Sequence, residues 1–397
     1  MENLKRLLPL KKLFENTEVA FKLKTDSELE RAHFLFKLIQ NEPMVRIGTA
    51  VTNFALKAHL PIEGLIRTTV YDQFCGGVTE EDCIPNIERM YNEAKVSSVL
   101  DYSVEDKENE ESFDATVEKV LNVIQFSEEK KSIPFAVFKP TGLGRFQLYE
   151  KISAGKSLTS TEKEEWDRVI ARFHKLCKTA YEKDVPVLID AEESWKQKAA
   201  DEVVESLMET YNKEKAIVFN TLQMYRHDRM EYLKELHQRA YQKGYHIGMK
   251  VVRGAYMEKE RERAKELGYL SPICVDKKAT DDNFNEAIRY MIEHNNMAIF
   301  AGTHNEESSY LLLELVKKYK LAIDHKSVWF GQLYGMSDHI SFNLAKEGYN
   351  VAKYMPFGPV RDVMPYLIRR AEENTSVKGQ TSRELKLLSK EKKRRKL

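Results

Sequence analysis

Two adjacent arginines, Arg369 and Arg370, are the residues of this chain best suited to hold a small anion. Guanidinium groups are always charged and donate two parallel hydrogen bonds, so they match a planar carboxylate in a way lysines do not. Tyr366, Arg369, Arg370 and Glu373 recur at helical spacing and share one face, while Met364, Leu367, Ile368 and Ala371 form an apolar face opposite. Ahead of this helix, Lys353-Tyr354-Met355-Pro356-Phe357-Gly358 reads as a buried strand closed by a Pro/Gly turn. Taken alone, the polar face fits an ordinary solvated Arg–Glu pair. The wider pattern reverses that preference.

The pattern begins near residue 97. A short apolar run, a polar residue at its end and a charged helical stretch recur eight times, with the runs at 97–104, 134–139, 185–190, 216–223, 246–252, 297–303, 328–332 and 349–354. Strands alternating with helices imply a parallel sheet, and eight such units predict an α/β fold closed as a (β/α)8 TIM-like barrel. No Gly-x-Gly-x-x-Gly opens any unit, which argues against a dinucleotide-binding half. Thr159 with Glu162 three residues on marks a helix start inside the barrel. The chain divides into an N-terminal helical region (1–95), broken by the loop Cys75-Gly76-Gly77-Val78, a catalytic barrel (96–376) and a basic C-terminal tail (377–397). In a parallel barrel the active site lies at the C-terminal rim. The polar residues there are Asp101, Lys139, Asp190 with Glu192, Gln223, Lys250 and Arg253, Thr303-His304-Asn305, Gln332 and Tyr354, and the last helix brings Arg369 and Arg370 to the same mouth.

Composition narrows the function classes. With 397 residues, 42% hydrophobic, 19 Tyr and 18 Phe, the chain can build a large core. Charged residues make up 31% but balance to a net +1, so no bulk field points to nucleic acid. Cys75, Cys83, Cys177 and Cys274 show neither Cys-x-x-Cys nor a Cys/His metal spacing, which suits free thiols in a reducing compartment and no metal site. No apolar run approaches membrane-spanning length. The basic run Lys390-Glu391-Lys392-Lys393-Arg394-Arg395-Lys396 reads as a solvated tail with a minor capacity to touch an anionic membrane. The start, Met1-Glu2-Asn3-Leu4-Lys5-Arg6-Leu7-Leu8, is too short in apolar residues for a secretory signal, and no Arg/Ser-rich, acid-poor leader stands there. A cytoplasmic protein is expected, at most peripheral on the inner membrane (on the matrix side if eukaryotic).

In order and spacing, the motifs resemble the proline dehydrogenase family over about 280 residues. The matching pieces are Leu100-Asp101-Tyr102, Phe138-Lys139-Pro140, Ile189-Asp190-Ala191-Glu192-Glu193, Thr221-Leu222-Gln223, Val252-Arg253-Gly254-Ala255-Tyr256, Thr303-His304-Asn305, and Tyr354 followed by Tyr366-x-x-Arg369-Arg370-x-x-Glu373-Asn374. The resemblance implies FAD, hydride transfer from proline C5 to flavin N5, and a quinone as electron acceptor, because no side chain accepts two electrons. It assigns the proline carboxylate to Arg369, Arg370 and Lys139, the pyrrolidine ring to Tyr354, a pocket wall to Tyr256, and a supporting role that fixes backbone and arginine geometry to Asp190. On the cofactor side it places Gln223 and Lys250 near the isoalloxazine, Arg253 at the pyrophosphate, and Thr303 and His304 at the adenosine end. Gly254, Ala255, Asn305 and Gln332 belong to the same wall, and Glu373 anchors ribityl or arginine groups. No aldehyde-oxidising half follows the barrel, unlike the bifunctional relatives, which also carry Arg-x-x-Lys where this chain has Lys250-x-x-Arg253. Hydroxyproline dehydrogenase chemistry is the near alternative, disfavoured by the bulk of Tyr354. A Schiff-base lyase using Lys139 is the distant one.

Overall fold

The computed structural model describes residues 10–58, 62–102, 109–376 and 380–397. Eight strands form one closed barrel: β1 (Ser97–Tyr102), β2 (Phe135–Phe138), β3 (Val187–Ile189), β4 (Val218–Gln223), β5 (Ile247–Val252), β6 (Met297–Gly302), β7 (Val328–Leu333) and β8 (Val351–Phe357). Each strand pairs in parallel with the next, and β8 returns to β1 with Val99 opposite Tyr354. All eight runs foreseen from the sequence are strands.

The helices of the chain that matter for the site are, in order, α1 (Asp26–Ile39), α2 (Glu42–Lys57) and α3 (Glu80–Ala94) ahead of the barrel. Around it run α4 (Glu110–Ser127), α5 (Phe146–Ser153), α6 (Ser160–Glu182), α7 (Ser194–Tyr211), α8 (Arg229–Lys243), α9 (Met257–Leu267), α10 (Lys277–Ile292), α11 (Glu306–Lys318), α12 (Asp338–Lys346) and α13 (Val360–Ser376), and α14 (Gln380–Arg395) follows. The capping box expected at Thr159 and Glu162 starts α6.

Side chains on a strand alternate between its two faces. Val99, Phe135, Val137, Leu188, Phe219, Ala298, Phe300 and Ala352 point inward and fill the barrel. At its lower end Phe135 meets Phe219, Phe300 and Trp329 edge-on, with ring centroids 5.6, 5.3 and 5.2 Å away. Those rings need room. A Cβ on Gly331 would lie 2.1 Å from the Phe300 ring, and one on Gly248 would lie 2.7 Å from Phe219. The same alternation then fixes the site, because two residues beyond the inward Val99, Val137, Leu188, Gly248 and Ala352 come Asp101, Lys139, Asp190, Lys250 and Tyr354.

A second core joins the N-terminal region to the end of the chain. Phe21, Leu29, Phe36 and Phe74 pack with Val363, Met364, Tyr366 and Leu367 of α13 and with Leu387 and Leu388 of α14. The solvated tail expected from the basic run is therefore corrected: residues 380–395 are a docked helix. Leu387 and Leu388 supply an apolar stripe that a count of charges overlooks, and Arg395 donates to the carbonyl oxygens of Lys24 and Phe21, both at 2.8 Å. The loop foreseen at Cys75–Val78 lies along β8, with Gly76 N donating to Pro356 O at 2.8 Å. Among the described residues no helix is long and apolar enough to cross a membrane, and no group of His, Cys, Asp and Glu could hold a metal ion.

Candidate active site

Four strand ends converge on one carboxylate. The Lys250 ammonium donates to Asp190 Oδ1 and to the Tyr354 hydroxyl, the latter at 3.2 Å, and Tyr354 itself donates to Asp190 Oδ1 at 2.7 Å. The Lys250 nitrogen also stands 4.7 Å from the centre of the Tyr354 ring. Lys139 sits beside this group with its nitrogen 3.7 Å from Asp101 Oδ1. Burial by itself would raise the Asp190 carboxyl, but Lys250 and Lys139 outweigh it and hold the group below its ordinary value. Tyr354 goes the other way: burial, then the Asp190 charge, push its phenol well up, so it stays protonated and remains a donor. Among the described residues the hydrogen-bond partners of the Asp190 carboxylate are a lysine and a tyrosine.

The turn after Lys139 is fixed by Glu192, which accepts from Thr141 N at 2.9 Å and Thr141 Oγ1 at 2.6 Å. Gln223, at the end of β4, is 2% exposed. Its amide nitrogen makes one long bond to Ala191 O at 3.4 Å, and among the described residues its amide oxygen has no hydrogen-bond donor.

The other half of the rim is a hydrogen-bonded lattice. Arg253 donates from Nε to Asp281 Oδ1 at 2.7 Å, from Nη1 to Thr303 Oγ1 at 2.6 Å and from Nη2 to Ser308 Oγ at 2.9 Å. Its guanidinium also lies over the Phe284 ring at 4.5 Å. Gln332 donates to Thr303 O at 3.0 Å and accepts from Ser341 Oγ at 2.8 Å. His304 Nδ1 pairs with Ser337 Oγ at 2.9 Å. Burial, then the charges of Lys353 and Arg370, push its imidazole down to about 3, so it is neutral near pH 7.

Several residues expected on the cofactor wall also have duties within the protein. Asn305 Oδ1 accepts from Ser308 N at 2.9 Å and caps α11. Both ends of the Gln332 amide are engaged by protein. Gly254 takes φ +134° where a Cβ would lie 2.5 Å from the Tyr225 ring, so glycine is required there by backbone and space together. Ala255 is exposed, and Tyr256 is half-buried with the Lys259 nitrogen 5.8 Å from its ring centre.

Helix α13 carries both arginines and brings Arg370 toward the rim. Arg369 and Arg370 are half-buried, the Arg370 guanidinium stands 5.2 Å over the Tyr366 ring, and its charge reaches His304. Tyr366 in turn is near enough to Tyr354 to add to the upward shift of that phenol. The Glu373 side chain lies outside the described residues. Sequence reasoning missed Asp281, Ser308 and Ser337. Asp281 follows Lys277 by four residues and reads as a solvated helix pair, which it also is, and nothing local marks the two serines.

Comparison with known proteins follows the same line. The family described as Proline dehydrogenase matches residues 83–383. The chain is 35% identical over 348 residues to the carbapenem antibiotics biosynthesis protein CarD of Pectobacterium carotovorum subsp. carotovorum, covering 87% of this chain and 90% of that one. It is 31% identical over 380 residues to the mitochondrial proline dehydrogenase 1 of Dictyostelium discoideum, covering 84% of this chain and 66% of that one. The solved structure of proline utilization A (PutA) from Bdellovibrio bacteriovorus, inactivated by N-propargylglycine, has the same fold with a TM-score of 0.70 at 20% identity, over 92% of this chain and 37% of that longer protein. On the family match, which takes in all eight strands and the rim residues above, this chain belongs to the proline dehydrogenase family of oxidoreductases.

Proposed function

We propose that this chain oxidises L-proline to 1-pyrroline-5-carboxylate with FAD as cofactor, the first step of proline catabolism. The observation that carries the reading is the constellation of Lys250, Asp190 and Tyr354 beside Lys139, to which Arg369 and Arg370 of α13 would add the carboxylate clamp. The residues fit a flavin: the Gln223 amide oxygen is buried and meets no donor among the described residues, an acceptor suited to the imide N–H of the ring system. Gln223 and Lys250 would hold that ring system, Arg253 the pyrophosphate, and Thr303 and His304 the adenosine end. Bound FAD would supply the two-electron acceptor for hydride from proline C5 and pass the electrons to a quinone.

The protein's own part is binding, orientation and charge. Arg369, Arg370 and Lys139 grip the substrate carboxylate and fix which edge of the ring faces the acceptor. Tyr354, immobilised by Asp190 and Lys250, offers a flat surface to the pyrrolidine ring and leaves little room for a 4-hydroxyl. The same cations disfavour the ammonium form of proline and so favour the neutral amine that hydride departure needs. A quinone acceptor calls for work at a membrane surface. Met44, Ile47 and Val51, all exposed on one face of α2, provide apolar surface for such peripheral contact.

The test is direct. Purified protein should be yellow and should bleach on anaerobic addition of L-proline. Colourless protein that gains no activity with added FAD refutes the reading, and borohydride trapping of a carbonyl substrate on Lys139 would point to a lyase instead.

A further inference from the structure

Helix α14, at the end of the chain, touches the rim through two neighbouring residues. Glu384 is buried, and its Oε2 accepts from Ser337 N at 3.0 Å. Ser337 Oγ is the partner of His304 Nδ1 at 2.9 Å. Arg383 donates to Glu306 Oε1 at 2.7 Å and to Glu15 Oε1 at 2.8 Å. Glu306 is the first residue of α11, directly after Thr303-His304-Asn305, and it also pairs with His339 Nε2 at 3.1 Å. One helix therefore grips both the β6–α11 and the β7–α12 connections.

The second connection needs an external hold. Gly335 and Ser337 both have positive φ, +77° and +50°, and the serine has no glycine-like freedom to adopt it. Besides local bonds such as Met336 N to Leu333 O, this turn is anchored among the described residues from elsewhere in the chain. Gln73 Nε2 donates to Gly335 O at 2.8 Å, the fully buried Lys353 donates to Met336 O, and Glu384 accepts from Ser337 N. Lys353 is paired with Asp338 at 2.8 Å, and Glu384, besides accepting from the Ser337 amide, has its Oε2 3.7 Å from His339 Nδ1.

We propose that α14 is a positioning element of the cofactor end of the active site, with Glu384 and Arg383 as its positioning residues. Glu384 sets Ser337, Ser337 orients His304, and Arg383 fixes the start of α11 beneath Thr303 and Asn305. The inference rests on the proposed reading that this side of the rim receives the adenosine end of FAD.

The experiment uses the full chain in FAD-free form, comparing wild type with Glu384→Leu, Glu384→Gln and Arg383→Met. Amide exchange is followed over 303–308 and 334–341, and FAD is then titrated by flavin fluorescence. Glutamine keeps an oxygen that accepts from Ser337 N and should stay within threefold of wild type in FAD affinity. Leucine should speed exchange at 334–341 and raise the FAD Kd about tenfold or more. Arg383→Met, a change at a side chain that is partly exposed, should speed exchange at 303–308. Proline KM at saturating FAD should hold within twofold in all three. The proposal is overturned if rim exchange is unchanged in Glu384→Leu and Arg383→Met, or if glutamine is as damaging as leucine. Should Glu384→Leu not fold, Arg383→Met decides by the same exchange criterion. Wild-type protein that binds no FAD refutes the flavin reading alone, since exchange in the FAD-free protein still decides the role of the helix.

Discussion

Replacing Asp190 tests the heart of the site. Asp190→Ala removes the acceptor of both the Lys250 and Tyr354 bonds and leaves an ammonium that is 9% exposed without its counter-charge. Removing one member of a buried ion pair costs about 3–5 kcal/mol, because the survivor keeps its desolvation penalty and loses its compensation. Asp190→Asn retains an oxygen for the Tyr354 hydroxyl and so should recover about 1 kcal/mol of that, but not the charge term. At roughly 2.1 cal/mol/K of unfolding entropy per residue, a cooperative chain of this length has about 0.8 kcal/mol/K, so the alanine variant should melt about 4–6 °C below wild type at pH 7. The pH dependence gives an independent check. The folded carboxyl lies below its unfolded value, so its contribution is fully present above about pH 4 and is lost as pH falls through the lower folded value. Wild type and variant should therefore converge in acid and separate at neutral pH. Calorimetry of both proteins from pH 7 down to the lowest pH at which they fold reads this out. A melting difference under 1 °C at pH 7, or one that stays constant as the pH is lowered, would show that Asp190 is not the charge partner that holds Lys250 and Tyr354.

The remaining expectations are shorter. Arg369→Met and Arg370→Met should each raise the proline KM about 10–100-fold, the worth of a charge-assisted carboxylate contact, with flavin still bound, and an unchanged KM in both would refute the clamp. Tyr354→Ser should raise kcat/KM for trans-4-hydroxyproline relative to L-proline, and an unaltered ratio would remove Tyr354 as a steric filter. Gly331→Ala places a methyl 2.1 Å from the Phe300 ring and should destabilise by about 1–3 kcal/mol through overpacking, so an unchanged unfolding midpoint in urea would contradict the packing described at the floor of the barrel.

The barrel was readable because each strand carries its own signal. Apolar runs ending in Lys139, Asp190, Gln223 and Lys250 need no knowledge of distant residues, and the two-residue period that turns Val137 and Leu188 inward turns Lys139 and Asp190 inward as well. Partners are another matter. Lys250 and Tyr354 stand 104 positions apart, and Arg253 finds Asp281 and Ser308 from 28 and 55 positions away. Asp281 satisfies a local rule with Lys277 at the same time, so its longer-range duty leaves no separate trace. Helix α14 escaped for a related reason: its charges dominate composition, while its docking depends on Leu387, Leu388 and a pairing of Ser389 with His33 across 356 positions.

That difference bears on how a site built this way works. Residue types along a strand determine which charges reach the mouth, but the fold decides which of them are already neutralised before any ligand arrives. Lys250 is held by Asp190, Arg253 by Asp281 and Lys353 by Asp338, each in a pair at least partly removed from water. Side chains held in this way position others at little further cost, since their geometry is set on folding and need not be ordered again at each binding event. Gln223 differs from them: it is buried, and its amide oxygen meets no donor among the described residues, so it carries a desolvation cost that a water or a bound group would offset. The paired lysines and arginine are set on folding, whereas the strand-end amide keeps an acceptor to spare.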